Sequence, residues 1–350
     1  MAGLNSGPIK STRARPLRRP RLRSDICKTS PPQTTTNSAA AEKENLTKYK
    51  NQNLTPTLPN SVIIKVDTSV GPSSTPDAST GRFSVRLESK RQYNQGLFLF
   101  DVKHSPFGCA TWPALWLVDP SHWPDHGEID IMEAVNPGAP SFPELGNSAV
   151  LHTSPSSSCR MDGKRNMTGS IATVFGSNTQ TTDCDSSLNN NAGCGVSSGP
   201  ETFGPAFNAA GGGIVAVEWR AEGIRVWQFG RAAIPADIKE GNPDPAGWPV
   251  PLADFPNTNC DIGGHFRNAS IVANIDLCGD AMSEEVWSAS GCEFSPMFSL
   301  VCFEGGGGHE IETWRERGAD ASINRSYPLR GKAQVRRRLD EDELYRLRGE

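Results

Sequence analysis

Gly127-Glu128-Ile129-Asp130-Ile131-Met132-Glu133 decides how this chain folds. Three carboxylates lie close together here, separated by apolar side chains in a run that otherwise reads as a buried strand. Along a regular strand side chains alternate faces. Glu128, Asp130 and Met132 would then point one way, and Glu133 the other, into the layer of Ile129 and Ile131. A lone carboxylate buried there must neutralise or find a partner. One extra residue, a β-bulge at Ile131-Met132, removes the conflict. Glu128, Asp130 and Glu133 then line one face, with the isoleucines packed behind.

Like charges at such close quarters cannot all ionise easily, so at least one pKa is expected to rise. Splitting carboxyls into an ionised and a protonated one is the general way to separate a nucleophile from an acid. Retaining glycosidases hold two carboxyl groups roughly 5–5.5 Å apart. With the bulge, the Cα atoms of Glu128 and Glu133 stand roughly 13 Å apart at ~3.3 Å per residue, so both side chains must lean inward over Asp130. The same spacing also fits an acidic strand edge that binds a cation or faces water.

Further stretches stand in order on both sides. Cys109-Ala110-Thr111-Trp112-Pro113-Ala114-Leu115-Trp116 precedes the acidic run, and Leu151-His152-Thr153-Ser154 follows it. Later come Phe207-Asn208-Ala209-Ala210-Gly211-Gly212-Gly213, Phe255-Pro256-Asn257-Thr258-Asn259-Cys260-Asp261-Ile262 and Leu277-Cys278-Gly279-Asp280. Together these resemble glycoside hydrolase family 16, most of all its fungal endo-β-1,3(4)-glucanases of laminarinase type, over about residues 62–302. The resemblance implies a curved, concanavalin A-like jelly-roll sandwich with a cleft across its concave sheet. It also implies Glu128 as nucleophile, Glu133 as acid/base and Asp130 as the assisting residue between them. The residue pattern agrees in kind but does not order the two glutamates.

At 350 residues the chain has room for two domains, although a sandwich often exceeds about 200 residues as one. A net charge of −4 implies no nucleic-acid or membrane-surface partner. No apolar run approaches the ~18–20 residues of a membrane helix. Of nine cysteines, eight lie between Cys109 and Cys302, and an even set there reads as disulfides in an oxidising compartment. Reduced core cysteines are the alternative. Cys184 and Cys194 would close a short ring inside a polar insert over residues 176–213, which is expected to shape one wall of the cleft. Resemblance and cysteine usage imply an extracellular protein, yet no apolar h-region with a small-residue cleavage site follows Met1.

Residues 1–60 read as a disordered basic and polar tail, since such composition cannot bury enough apolar surface to offset chain entropy. Residues 62–67, 82–89, 97–104, 112–118, 129–134, 149–153, 213–220, 224–229 and 270–277 read as strands between Gly, Pro and Ser clusters. Residues 235–240 allow one turn of helix. Many short strands with turn-rich links argue an all-β sandwich or jelly roll, with the catalytic domain over 61–303. Residues 304–350 read as a charged non-family tail carrying a short helix at 336–348. Neither the family's strands before residue 62 nor its closing aromatic-rich strand is recognisable, so the sandwich reads as incomplete at both ends.

Around the acids, Trp112 and Trp116 offer ring faces on which sugars could stack, with core packing the alternative for Trp112. His152 on the adjoining strand would reach a carboxylate or a sugar hydroxyl. Asn136 and Trp227 are further candidates for sugar contact. His122 and His126 flank the strand without a convincing partner and read as surface loop. No Cys/His cluster has ligand spacing, so no metal or cofactor is expected. The expected partner of this monomer is a β-glucan, cleaved by retaining endo-hydrolysis at β-1,3- or mixed β-1,3/1,4-linkages. A cell-wall glucan transglycosylase would need the same carboxylates. An inactive lectin-like glucan-binding protein would not need all three.

Overall fold

A computed structural model describes residues 57–58, 61–66, 85–137, 146–155, 158–161, 165–174 and 177–277, together with 286–287, 290, 292, 314–316 and 325–327. Among these residues the strands, numbered in chain order, form two antiparallel sheets. The first runs β1 (Thr57–Leu58), β2 (Ser61–Ile64), β14 (Trp314–Glu316), β4 (Gly96–His104), β10 (Gly213–Arg220), β11 (Gly223–Gly230), β12 (Ala253–Pro256), and β15 (Arg325–Tyr327) also pairs with β4. The second runs β3 (Arg86–Tyr93), β13 (Ala269–Leu277), β5 (Thr111–Val118), β6 (Glu128–Glu133), β7 (Ser148–His152), β9 (Cys194–Ser197) and β8 (Ser170–Ile171).

The expected all-β sandwich is therefore present, and alternation along the strands explains its core. Phe98, Phe100 and Val102 of β4, Val215, Val217 and Trp219 of β10, and Ile224 and Val226 of β11 face inward. They meet Leu115 and Leu117 of β5, Ala149 and Leu151 of β7, and Ile271 and Ile275 of β13. Burying a side chain of this kind is worth about 1.5–3 kcal/mol. The intervening residues of the first sheet, Leu97, Leu99, Ile214, Ala216, Trp227 and Phe229, build a smaller cluster on its outer face under Ile234, Ile238 and Trp248. The intervening residues of the second sheet carry the polar site.

Three parts of the chain depart from expectation. The insert at 176–213 is not all loop, because it contains β9 and a short helix at Gly204–Ala209. β12 is unexpected, since it ends in Pro256 and has too few residues to show a period. Beyond residue 304, in the segment expected to be tail, β14 and β15 pair with β4, and β1 lies in the expected N-terminal tail. The turn of helix at 235–240 is present as Ala236–Lys239. Most of the expected tail over 1–60, and the charged helix expected at 336–348, fall outside the described residues. Among the described residues no helix is long and apolar enough to cross a membrane.

Among the described residues three disulfides tie the sandwich: Cys109–Cys292, Cys159–Cys260 and the expected Cys184–Cys194. The last closes a ring with a sequence separation of 10. Cross-links of this kind stabilise by roughly 2–4 kcal/mol, mainly by restricting the unfolded chain. Cys27, Cys278 and Cys302 lie outside the described residues.

Candidate active site

β6 carries the bulge that the period conflict demands. Against β5, Met132 pairs with Leu115 but Asp130 pairs with Trp116, so Ile131 has no opposite number. Against β7, Asp130 pairs with Val150 and Glu133 with Ser148, so three steps on β6 match two on its neighbour. Ile129, Ile131 and Met132 all join the core. Glu128, Asp130 and Glu133 are thereby left on the outer face of the second sheet, each within electrostatic reach of the others.

A bulge strands backbone groups that the ladder would otherwise pair, and these must find partners when buried. Asn147, just before β7, supplies them. Its Oδ1 accepts from the Glu133 N–H at 3.0 Å, and its Nδ2 donates to the Ile131 carbonyl at 2.9 Å. Nδ2 also approaches Gln228 Oε1 of the opposite sheet at 3.3 Å, while the Asn147 N–H donates to Thr202 Oγ1 at 2.7 Å. Gly127 opens the strand at φ +69°, where a Cβ would lie 2.5 Å from the Phe266 ring and 2.7 Å from the His265 carbonyl. Only glycine fits that turn.

The acids share one electrostatic environment. Burial pushes the Glu128 carboxyl well above the ordinary range, the charges of Asp130 and Glu133 add to this, and His152 opposes it. Burial likewise raises Asp130 well above its usual value, helped by Glu133. Glu128 and Asp130 hydrogen-bond each other, and the buried carboxyls of Asp130 and Glu133 titrate as a pair. Glu133 is raised by burial, against which the Trp112 indole and His152 act. Trp112 Nε1 donates to Glu133 Oε1 at 2.5 Å.

His152 sits opposite Glu128 in the β6–β7 register, and its Nε2 lies 3.2 Å from Asp130 Oδ2. Its Nδ1 meets Asn191 Oδ1 at 2.9 Å. An amide oxygen only accepts, so that contact puts a proton on Nδ1. Asn191 belongs to the Cys184–Cys194 ring, whose Asn189, Asn190 and Asn191 all have positive φ. The ring docks through the Thr153 N–H, which donates to the Cys184 carbonyl at 2.7 Å. The insert thus borders the site beside β7, as expected of a wall.

Trp116 shares the outer face of β5 with Trp112. Its Nε1 donates to Asn274 Oδ1 at 2.6 Å, and the Arg86 guanidinium lies 4.6 Å from its ring centre. Asn274 and Asp276 come from β13, opposite Ala114 and Trp112. Burial raises Asp276, which in turn raises Glu133. Sequence reasoning missed these two, although their alternation with Ala273 and Ile275 marks them as outward-facing.

Two of the residues expected to touch sugar do not belong to the site. Trp227 is on the outer face of the other sheet, 3% exposed, with its Nε1 donating to the Pro249 carbonyl at 2.8 Å. Its ring packs edge-on against Trp248. Asn136 is wholly buried at φ +52°, its Oδ1 accepting from the Ala110 N–H and its Nδ2 donating to Ser290 Oγ. Asparagine suits that left-handed turn, and its amide is used up by the Ala110 N–H and the Ser290 hydroxyl. His122 and His126, expected to lack partners, both contact Asp119.

Known proteins resemble this chain over much of its length. A probable glycosidase of Schizosaccharomyces pombe is 45% identical over 219 residues, covering 61% of this chain and 48% of that protein. An endo-1,3(4)-beta-glucanase of Arthroderma benhamiae is 40% identical over 205 residues, covering 57% and 41%. The chain thus spans about half or less of the length of these relatives. A structure of laminarinase 16A from Phanerochaete chrysosporium, holding beta-glucans in donor and acceptor sites, superimposes with a TM-score of 0.64 at 35% identity. That match covers 77% of this chain and 86% of the other. The family described as XgeA-like, catalytic GH16 domain matches residues 34–303, and with most of its length so matched the chain belongs to glycoside hydrolase family 16.

Proposed function

We propose that the chain carries out retaining endo-hydrolysis of β-1,3- or mixed β-1,3/1,4-glucan, with Glu128 as nucleophile and Glu133 as acid/base. The observation that carries this is the bulged strand, which turns three buried carboxyls to one face and sets an indole N–H on one of them. A binding surface has no use for several carboxyls that burial keeps from ionising freely. The names of the related glucanase and laminarinase support the substrate class.

In the first step Glu128 attacks the anomeric carbon while Glu133 gives its proton to the departing glycosidic oxygen. The C–O bond to the leaving chain breaks and an ester to Glu128 forms. Glu133, now ionised, takes a proton from water, whose oxygen displaces Glu128 and restores the β configuration. Asp130 accepts a hydrogen bond from Glu128, and passage of that proton to Asp130 ionises Glu128 for attack. Trp112 fixes the rotamer of Glu133 and stabilises its ionised form between the steps. Trp116 and the exposed edge of Trp112 supply apolar surface for sugar rings. The disulfides fit an oxidising, extracellular setting.

Release of reducing sugar from laminarin tests the activity. Loss of general acid/base help costs typically 10²–10⁴-fold, so Glu133→Ala should be that slow on glucan. An aryl glucoside with a good leaving group should still load Glu128, and added azide should then give a β-glycosyl azide. An α-azide from Glu133→Ala would reverse the two roles, and no sugar release by the wild-type chain would overturn the reading.

A further inference from the structure

The turn between β5 and β6 holds a second cluster of ionisable side chains that the glycosidase chemistry does not use. Asp119, His122 and His126 are spaced as positions i, i+3 and i+7. The His126 N–H donates to the His122 carbonyl at 3.0 Å, and the His122 N–H donates to the Asp119 carbonyl at 3.1 Å. This coils the segment so that histidines four residues apart share a face, the arrangement by which a helical pair of histidines grips zinc. The two rings stack with centroids 4.4 Å apart and an 18° tilt. Both Nδ1 atoms converge on Asp119 Oδ2, at 2.9 Å from His122 and 2.7 Å from His126. Oδ1 is occupied separately, by the Ser121 N–H at 3.0 Å.

We propose that Asp119, His122 and His126 form a binding site for a divalent transition-metal ion, zinc being the best match. Each of the three offers a ligand atom within 4.8 Å of the others. Two imidazoles and a carboxylate are a donor set that suits zinc, with a fourth position left to water. One histidine would suffice to satisfy the buried oxygen; two converging on it place a pair of nitrogen donors at a single point. A tetrahedral ion with bonds of ~2.0–2.1 Å needs its ligand atoms about 3.4 Å apart, so the Asp119–His122 contact has to open by about 0.5 Å and the Asp119–His126 contact by about 0.7 Å. His122, whose side chain is 59% exposed, can supply its share of that movement, and the rest falls on a small rotation of the more buried Asp119 and His126, 3% and 14% exposed. The exposed side also gives the ion and its water an entry path.

The ion would replace two imidazole protons and cross-link a turn that is already anchored. The His126 carbonyl accepts from the Arg267 N–H, and the Gly127 N–H donates to the Pro124 carbonyl. Gly127 leads directly into Glu128. The expected role is therefore to stiffen the entry to β6 and to stabilise the folded chain by mass action, independently of the glucan reading.

The test uses the full chain without a histidine tag, stripped with chelator while its disulfides stay oxidised. Zinc is titrated by calorimetry, and cobalt(II) by its visible absorption. One equivalent is expected, with d–d bands and without the charge-transfer band that a cysteine ligand would add. Glu128, Asp130 and His152 also come within 4.8 Å of one another and are the competing location. The site should vanish in His122→Ala/His126→Ala and persist in His152→Ala, and zinc should raise the melting temperature of the wild type but not of the double variant. If the double variant does not fold, the exposed single change His122→Asn serves. It should weaken zinc binding by more than the ~10–100-fold that losing an outer-sphere partner costs. No binding, binding that survives these His122 changes, or binding lost in His152→Ala would overturn the proposal.

Discussion

Replacing Asn147 by Ala should damage the site through the backbone alone. Asn147 touches no reacting atom in the proposed mechanism, yet its amide caps both groups exposed by the bulge, the Glu133 N–H and the Ile131 carbonyl. Asn147 is completely buried, so water does not replace it in the folded state. A buried donor or acceptor left unpaired costs about 1–3 kcal/mol, which for the pair comes to about 2–6 kcal/mol. At ~2–4 °C per kcal/mol for a domain of this size, the melting temperature should fall by roughly 4–24 °C. Against a stability above about 8 kcal/mol, within the ~5–15 kcal/mol usual for a native chain, this cost leaves most of the chain folded at room temperature. A catalytic group displaced by about 1 Å can cost ~10²-fold in rate, so laminarin hydrolysis should drop by about that factor. The loss should be unequal. An aryl glucoside with a good leaving group does not need the proton of Glu133 in its first step, so its glycosylation should suffer much less. Equal losses on the two substrates would mean that Asn147 supports the sheet but does not position Glu133. Unchanged melting would refute the claim that its amide holds the bulge.

The pH dependence of stability gives another expectation. Folding raises the Glu128 carboxyl, mainly by burial, so the native state favours its protonated form. The cost of ionising it is absent below the ordinary carboxylate value of about 4 and grows as pH rises through the raised value. Glu128→Gln, neutral throughout, should therefore melt above the wild type near neutrality and converge with it in acid; a gap independent of pH would contradict this. Removing the acceptor for His152 Nδ1 by Asn191→Ala should lower kcat more than it raises KM, and Asn191→Asp should restore most of the loss. A change in KM alone would make Asn191 a sugar contact and not a positioning residue.

What the sequence disclosed depended on periodicity. The bulge could be read because Glu133 breaks the alternation of its own strand, and the strands at 97–104, 112–118, 213–220 and 270–277 could be read because each keeps a period. Alternation states which residues share a face but not which sheet that face belongs to. Trp227 shows the consequence: its outward position was readable, but the sheet it leaves from lies on the far side of the core. Asn136, Asn147 and Asn191 look alike in sequence, as polar residues near turns. One holds a left-handed turn, one caps a bulge, and one orients a histidine, and only the paths of neighbouring strands separate these roles. The Asp119 cluster escaped notice for a related reason. Its ligand spacing combines a carboxylate with two histidines, whereas metal patterns of cysteine and histidine announce themselves.

The position of Asn147 also says why the site cannot be regarded as a graft on a passive scaffold. β6 must send Ile129, Ile131 and Met132 into the core and three acids outward, which a regular strand of its length cannot do. The bulge meets both demands, but it strands two backbone groups on the buried side. Their partner is Asn147, whose own N–H is held by Thr202 and whose Nδ2 reaches Gln228 on β11 of the opposite sheet. Gln228 in turn donates to the Thr202 carbonyl. The register of Glu133 is therefore linked through one asparagine to the packing of sheet against sheet. Mutations in the core between β6 and β11 should consequently shift the acid/base residue before they unfold the chain, whereas changes of equal cost in the outer cluster around Trp227 and Trp248 should lower stability without that effect.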